Sequence, residues 1–204
     1  MTRDDKLALG GLGVALAWIV LGSRPRASSG TTTTTPPGGI GVNRVVPRVN
    51  TGTGPAATFD RDRYDALVVA LAAHNAPAAM RGKLARAMLA HAIMETGRTA
   101  EYNFNAWNMR PNANWRGDVF PLPVSGPANY ERSYPDLQTA VNDYANSITG
   151  STYGPILGDL AAGTISEVEW WQRVRLAGWS REGPSLTDLA EYSSRMARLR
   201  AEFP

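Results

Sequence analysis

The sequence predicts a mainly α-helical domain with one irregular insertion, preceded by one transmembrane helix and a flexible linker. Three observations support this: an uncharged apolar stretch near the N-terminus, a Thr/Gly/Pro-rich stretch after it, and helical spacing of apolar residues in most of the remaining chain. The expected boundaries are residues 1–23 for the anchor, 24–58 for the linker and 59–204 for the folded domain. A chain of 204 residues suffices for one domain with a sizeable core.

The apolar stretch at residues 7–23 begins LALGGLGVALAWIVLG and carries no charge. Its length is near the lower limit for crossing a bilayer, which takes roughly 17–25 residues. We therefore expect a single membrane anchor. A cleaved signal peptide stays open, because Val20-Leu21-Gly22 loosely fits the small-residue cleavage pattern. A buried core helix is disfavoured because the segment that follows offers it nothing to pack against.

That following segment reads RASSGTTTTTPPGGIGVNRVVPRVNTGTGPAA and has few large apolar residues outside a short patch at 40–49. Such a composition cannot bury enough surface to offset the entropy lost on ordering the chain. The sequence therefore predicts a flexible tether over residues 24–58.

The first helix of the domain is expected to begin with Asp60 as its N-cap and to continue through RDRYDALVVALAAHN until Pro77 breaks it. Pro77 can open the second helix, AAMRGKLARAMLAHAIMET, which Gly97 stops. Residues 98–133 are rich in Asn, Pro, Trp and Gly, which predicts loops with room for a short hairpin. Helical patterning returns in four segments, at about 137–148, 156–162, 166–176 and 187–202.

Composition excludes several kinds of site. The chain has no cysteine, so disulfides, thiolate metal sites and thiol nucleophiles are ruled out. His74 and His91 lie 17 positions apart, far from the i, i+4 spacing of a helical zinc pair, and we expect neither a metal nor a cofactor. The net charge of +3 suits an anionic polymer, but no run of Lys or Arg is dense enough to predict binding to nucleic acid.

Glu95 has the most informative setting among the ionisable residues, in the last turn of the apolar second helix beside Ile93 and Met94. The negative end of the helix dipole and the loss of hydration both disfavour a carboxylate there. They predict a raised pKa, as a general acid requires. His91 and Arg98 would lower that pKa if they lie close. The alternative interpretation is a solvated glutamate at a helix end.

The irregular segment after Glu95 is crowded with aromatic and amide side chains: Tyr102, Asn103, Phe104, Asn105, Trp107, Asn108 and Trp115. Aromatic faces stack on sugar rings and amides bond sugar hydroxyls, so this composition favours carbohydrate binding. Stacking on nucleic-acid bases is the rival explanation, but the basic residues are scattered and not interleaved with the aromatics. Phe104 and Trp107 are expected to be partly structural.

Four segments in the expected folded domain carry motifs in a fixed order: AHAIMETG at 90–97, NAWNMR at 105–110, YERSYPDLQTAVNDYANSI at 130–148 and AGWS at 177–180. Together they resemble motifs of the bacterial N-acetylglucosaminidases of glycoside hydrolase family 73. AHAIMETG at 90–97 resembles "AQAxLETG", NAWNMR at 105–110 resembles "NLFGIK", and YERSYPDLQTAVNDYANSI at 130–148 resembles "FRxYDSxEESxxDY". AGWS at 177–180, with the later Tyr192, resembles the closing "AGYATDPxY", although REGPSLTDLAE is inserted and "TDP" is missing. The resemblance covers roughly residues 60–203.

This resemblance implies a lysozyme-like helical fold with a cleft between a helical lobe and the insertion. It implies an endo-N-acetylglucosaminidase that hydrolyses the β-1,4 glycan backbone of bacterial peptidoglycan, with Glu95 as the proton donor. Asn105, Trp107, Asn108, Tyr134 and Tyr192 are the expected substrate-binding residues. Cleavage as a muramidase or lytic transglycosylase stays open, as does a non-catalytic glycan-binding module of a virion.

The second catalytic group is harder to identify from sequence. An inverting glycosidase places its base about 6.5–9.5 Å from the acid, and a retaining one places its nucleophile about 5–5.5 Å away. Asp118 in NWRGDVF is the leading candidate, with Glu101 and Glu131 behind it. The acetamido group of the substrate is a further alternative, which needs no second carboxylate.

With the anchor at residues 7–23, these expectations describe a lytic domain tethered by a single span to a bacterial inner membrane or a phage virion membrane. The catalytic domain would face the cell wall. The short, Gly- and Ala-rich anchor also resembles the signal-arrest-release segments of some phage endolysins.

Overall fold

The computed structural model describes residues 44–52, 56–97, 101–112, 114–122, 130–180 and 183–204, and within it the side chains of 56–59 are not described. The expected anchor and the first part of the expected linker lie outside these residues. Within the described residues, no helix combines the length and the apolar character that a membrane span requires.

The described part of the chain is mainly α-helical, which confirms the predicted class. Its six α-helices are α1 (Ala56–Ala73), α2 (Ala78–Thr96), α3 (Leu137–Thr149), α4 (Gly154–Ala162), α5 (Glu167–Val174) and α6 (Leu186–Glu202). A π-helical turn at Arg175–Trp179 extends α5, and two short strands lie between α2 and α3.

Helix α2 is the centre of the fold, because α1, α4, α5 and α6 all pack on it. Its segment from Leu84 to Ile93 is buried almost all round, with Arg86 as the exception. The many alanines in this segment let neighbouring helices approach closely, and a helix that is apolar on every side belongs in a core. Gly97, at φ 69°, ends α2 as expected and donates its N–H to the Ile93 carbonyl.

The helices after the insertion begin at side-chain caps that fix their positions. Asp136 accepts the Thr139 N–H at the start of α3, and Ser166 accepts the Glu169 N–H at the start of α5. Ser185 opens α6 with a capping box. The predicted helix positions in this half of the chain are therefore confirmed.

Helix α1 differs from its expected start. It begins at Ala56, so Asp60 is not an N-cap but a fully buried residue within the helix. Arg63, one turn later, forms a buried ion pair with Glu101 of the insertion. The electrostatic field of Asp60 also favours the charged form of Arg63. Asp60 therefore stabilises the positive charge of Arg63 within the core. The sequence did not reveal this role, because the position of Asp60 resembles that of an N-cap.

A short hairpin forms within the insertion. Strand β1 (Val119–Pro121) pairs antiparallel with β2 (Tyr130–Arg132), and Phe120 lies opposite Glu131. The predicted short hairpin is therefore present, and its register determines the direction of the Glu131 side chain, because neighbouring residues of a strand face opposite sides.

The expectation of a flexible linker is wrong for residues 44–52, which we call the strap. The strap runs beside the insertion: Val46 N–H donates to the Val119 carbonyl over 2.8 Å, and Thr51 N–H donates to the Glu101 carbonyl over 3.0 Å. Asn103 binds the middle of the strap through its backbone and its side-chain amide. Backbone bonds of this kind order a segment that has little apolar surface of its own.

Candidate active-site cleft

One cleft of about 930 Å³ opens between the helical body and the hairpin. Its walls come from the end of α2, the loop after it, β2, α3 and the π-helical turn. The lining residues are Glu95, Asn108, Met109, Arg110, Asn112, Glu131, Arg132, Ser147, Tyr153, Arg175, Gly178, Trp179 and Ser180. The cleft thus contains two carboxylates, three guanidinium groups and several neutral hydrogen-bonding groups.

Glu95 lies in the floor of the cleft with its side chain 16% exposed, so it is neither solvated nor fully buried. One carboxylate oxygen, Oε1, lies 3.5 Å from His91 Nε2 and 3.4 Å from Arg175 Nη1. The other, Oε2, lies 3.5 Å from Asn108 Nδ2. These three groups come from α2 itself, from the π-helical turn and from the loop after α2.

The pKa of Glu95 is lowered in this environment, so the expectation of a raised pKa is wrong. Burial on its own raises the pKa, but His91, then Arg175 and Asn108, lower it by more. The effect of lost hydration on this pKa was predicted correctly from sequence. The effect of Arg175 was not, because Arg175 lies in the π-helical turn, 80 positions further along the chain. Arg98, the other expected neighbour, lies outside the described residues.

Glu131 projects from β2 into the same cleft and is only 7% exposed. Burial raises its pKa from 4.5 to about 7, against the opposing fields of Arg110 and Arg48. The negative charge of Glu95 raises it further, so the two carboxylates are close enough to interact. About half of the Glu131 side chains therefore retain a proton at pH 7, whereas Glu95 is ionised there.

Asn108, an expected substrate-binding residue, lines the cleft beside Glu95. It adopts a left-handed backbone conformation, with φ 49°, and its side chain donates to the Glu95 carbonyl over 2.8 Å. This contact ties the insertion to the end of α2. Asn105 stands behind it and bonds both the N–H and the carbonyl of Met109, so it shapes the loop and does not line the cleft.

The three aromatic residues expected to bind substrate lie outside the cleft lining. Trp107 is fully buried, stacks on Tyr144 with ring centroids 4.1 Å apart and donates to the Met88 carbonyl. Tyr192 is fully buried against Trp171. These two positions correct the prediction, since both residues pack the helical core.

Tyr134 is also buried, and its hydroxyl donates to Asp143 over 2.6 Å. Asp143 accepts a second bond of 2.6 Å from Arg132, which does line the cleft. Tyr134 therefore supports the cleft wall through Asp143 instead of lining the cleft itself.

Two of the three candidate second carboxylates are engaged elsewhere. Asp118 pairs with Arg44 of the strap at 2.5 Å on the protein surface, and that guanidinium lowers its pKa. Glu101 is fully buried in its pair with Arg63. Neither lines the cleft, so the preference for Asp118 over Glu131 is not supported.

Several cleft residues were not singled out as candidates from sequence: Arg110, Arg132, Tyr153, Arg175, Trp179 and Ser180. Trp179 and Ser180 belong to the AGWS segment, which was noted only as a motif. Arg110 and Arg132 likewise lie within the NAWNMR and YERSY segments, whereas no sequence signal separates Arg175 from an ordinary surface arginine.

Among the described residues, no group of three or more His, Asp or Glu side chains is placed to hold a metal ion. No family model matches the chain, and no curated protein or solved structure matches it.

Proposed function

We propose that this protein is a peptidoglycan hydrolase of the endo-N-acetylglucosaminidase type, which cleaves the β-1,4 glycan backbone with Glu95 and Glu131. One observation carries the proposal: two glutamates in a single cleft have pKa values displaced in opposite directions. Pairs of carboxyl groups separated in this way divide acid and base roles in glycosidases.

The division of roles follows from the charge states. Glu131, with a pKa of about 7, keeps the proton that a leaving glycosidic oxygen must receive. Glu95 is ionised and acts on the opposite side of the bond, as a base toward water or as a stabiliser of the positive charge that develops on the sugar. This reverses the role of proton donor expected for Glu95 from the family resemblance.

The lining of the cleft suits a polar polymer. A volume of about 930 Å³ is large enough for part of a glycan strand, since ligand pockets commonly span about 300–1,000 Å³. Tyr153 and Trp179 pack edge to face at 5.6 Å on one wall and offer aromatic surface to sugar rings. Arg110, which is exposed at the cleft, provides positive charge for the carboxylates of muramic acid and its stem peptide.

The first experiment measures clearing of purified sacculi by the native protein and by Glu95→Gln and Glu131→Gln. Each variant should lose at least about 100-fold in rate, the usual scale for removing an acid or base. Asp118→Asn is the matched control, because it makes the same change outside the cleft and should keep full activity. Loss in the control together with retention in Glu131→Gln would overturn the choice of carboxylates.

Mass spectrometry of the released fragments identifies the bond. Reducing N-acetylglucosamine ends are expected from a glucosaminidase. Reducing muramic ends would identify a muramidase and anhydro-muramic ends a lytic transglycosylase. The absence of new ends with retained binding to sacculi would identify a non-catalytic glycan-binding module.

The roles of the two glutamates are separated by a chitooligosaccharide that carries an aryl leaving group. A good leaving group needs no proton, so it should restore cleavage by Glu131→Gln but not by Glu95→Gln. Rescue of Glu95→Gln alone would return the role of proton donor to Glu95.

A further inference from the structure

His91 is a fully buried polar residue directly beneath the cleft floor, one helical turn before Glu95. Three aromatic rings surround it edge to face: Trp179 at 4.9 Å, Tyr144 at 5.9 Å and Trp170 at 6.1 Å between ring centroids. Nothing in the proposed chemistry so far requires an imidazole here, and a core position of this kind is ordinarily filled by an apolar side chain.

The two ring nitrogens of His91 face different partners. Nδ1 lies 2.9 Å from the Tyr144 hydroxyl, which is a good hydrogen-bond distance. Nε2 is buried and makes no hydrogen bond within the described residues, and Glu95 Oε1 lies 3.5 Å from it, beyond the usual hydrogen-bond range.

The hydrogen-bond partners available to the Tyr144 hydroxyl determine which nitrogen of His91 carries the hydrogen. Tyr144 is fully buried, and burial raises the pKa of its hydroxyl, so the phenol keeps its proton. The described residues offer that proton no acceptor other than His91 Nδ1. Nδ1 must then be the unprotonated nitrogen, and a neutral ring carries its hydrogen on Nε2, which faces Glu95.

We propose that His91 is a positioning residue for Glu95: Tyr144 selects the neutral tautomer of His91 that carries hydrogen on Nε2, and this N–H holds the Glu95 carboxylate ionised and directed into the cleft. The catalytic consequence rests on the proposed function, whereas the tautomer does not. His91 touches no part of the cleft that substrate would occupy, and it acts only through Glu95.

Charged and polar groups from the neighbouring elements also influence the ionisation of Glu95. Arg175 approaches from the π-helical turn and Asn108 from the loop after α2. Glu131 interacts from β2. Arg175 and Asn108 also favour the anion, so loss of His91 should weaken, but not abolish, the preference of Glu95 for the ionised form.

The direct test is a long-range ¹H–¹⁵N spectrum of the histidine rings in the full chain, prepared in detergent micelles at pH 7. The chain has only two histidines, and His74→Gln assigns the signals. We expect the neutral Nε2–H form for His91, and a partial shift toward the other tautomer in Tyr144→Phe. A neutral Nδ1–H ring or a doubly protonated ring in the native chain would overturn the proposal.

Kinetics on sacculi test the positioning role. His91→Leu should lower kcat by about 10–100-fold, with KM little changed, because the carboxylate is no longer held in place. The acidic limb of the kcat/KM profile should move to higher pH, because the pKa of Glu95 rises when the N–H that stabilises its carboxylate is removed. His91→Gln keeps an N–H donor without a titrating ring and should recover most of the rate.

Thermal melts of both variants separate positioning from folding. Equal loss in His91→Leu and His91→Gln at equal thermal stability, with an unmoved acidic limb, would contradict the positioning role. If the native chain releases no glycan fragments, the proposed function fails, while the ring spectrum still decides the tautomer. If Glu95→Gln and Glu131→Gln abolish hydrolysis but the ring is Nδ1–H, the function stands and the role of His91 falls.

Discussion

We expect Glu131 to destabilise the folded protein at neutral and alkaline pH, because burial raises the pKa of this carboxyl group. Below its ordinary pKa of 4.5 the group is protonated in both the folded and the unfolded chain. Between that value and about 7 the unfolded chain releases the proton first, so stability falls as pH rises. Above this window the full penalty applies, on the order of 3 kcal/mol.

Glu131→Gln should therefore raise the free energy of unfolding at pH 8 by up to about 3 kcal/mol and change it little at pH 4. Urea denaturation of both proteins at the two pH values measures the difference. Glu191→Gln is the control, because Glu191 forms an exposed pair with Arg195 that contributes little. An equal change at both pH values would show that burial does not hold the Glu131 proton.

Residue types alone predicted part of this site. Glu95 was singled out from its place in the last turn of α2 and Asn108 from the amide-rich segment that follows, and both line the cleft. Trp107 and Tyr192 were misassigned, since an aromatic side chain fits a core and a sugar cleft equally well until its packing is known. The sign of the pKa shift of Glu95 depends on Arg175, which only the tertiary fold brings close.

At the scale of elements, the strap couples the N-terminal region to the hairpin that carries Glu131. Val119 of β1 exchanges backbone hydrogen bonds with the strap at Arg44 and Val46. The Asn103 side chain accepts the Val49 N–H over 2.8 Å and donates to the Pro47 carbonyl over 3.0 Å. Arg48 lies 3.5 Å above the Tyr102 ring. The hairpin is thus supported from outside by residues that the composition assigned to a tether.

Asn103→Ala should lower the free energy of unfolding by about 2–4 kcal/mol, because three side-chain hydrogen bonds are lost and alanine tolerates the φ of 50° poorly. Activity should fall by more than the loss of folded protein accounts for, because the hairpin that carries Glu131 loses its contact with the strap. Asn142→Ala, on the exposed face of α3, is the matched control. A change below about 0.5 kcal/mol in Asn103→Ala would mean that the strap does not brace the hairpin.

The difference in predictability between helices and strap has a physical origin. Helices α2 to α6 can be predicted from apolar spacing, capping residues and terminal glycines, because all of these are patterns in the local sequence. The strap is ordered by backbone bonds to residues about 50 or more positions away, such as Thr51 to Glu101 over 3.0 Å, together with the amide of Asn103. Backbone groups are the same at every position, so this pairing leaves no pattern in the sequence.

At the scale of the whole molecule, α2 runs from the packed core to the cleft. The same helix forms the centre of the packing and ends in Glu95, so the carboxylate is held by the most deeply buried element of the fold. The loop after α2 is joined to that body through Asn108 and through the buried pair of Arg63 and Glu101, and β2 is joined to this loop by the hydrogen bond from Arg132 N–H to the Met109 carbonyl. The two carboxylates therefore enter the cleft from different elements, Glu95 from the end of α2 and Glu131 from β2.

The proposed anchor at residues 7–23 can be tested with two forms of the protein: the full chain and a chain that begins at residue 24 and keeps the strap. We expect the full chain to stay with membranes through alkaline carbonate washing, because an uncharged apolar segment of this length is held by the hydrocarbon and not by charge. The shorter form should be released and should still clear sacculi, since the cleft and its supports lie entirely within residues 44–204. A mature mass that starts near residue 23 would instead identify a cleaved signal peptide. A marked fall in the unfolding free energy of the shorter form would identify the segment as a core helix, and either result would remove the membrane tether from the proposal.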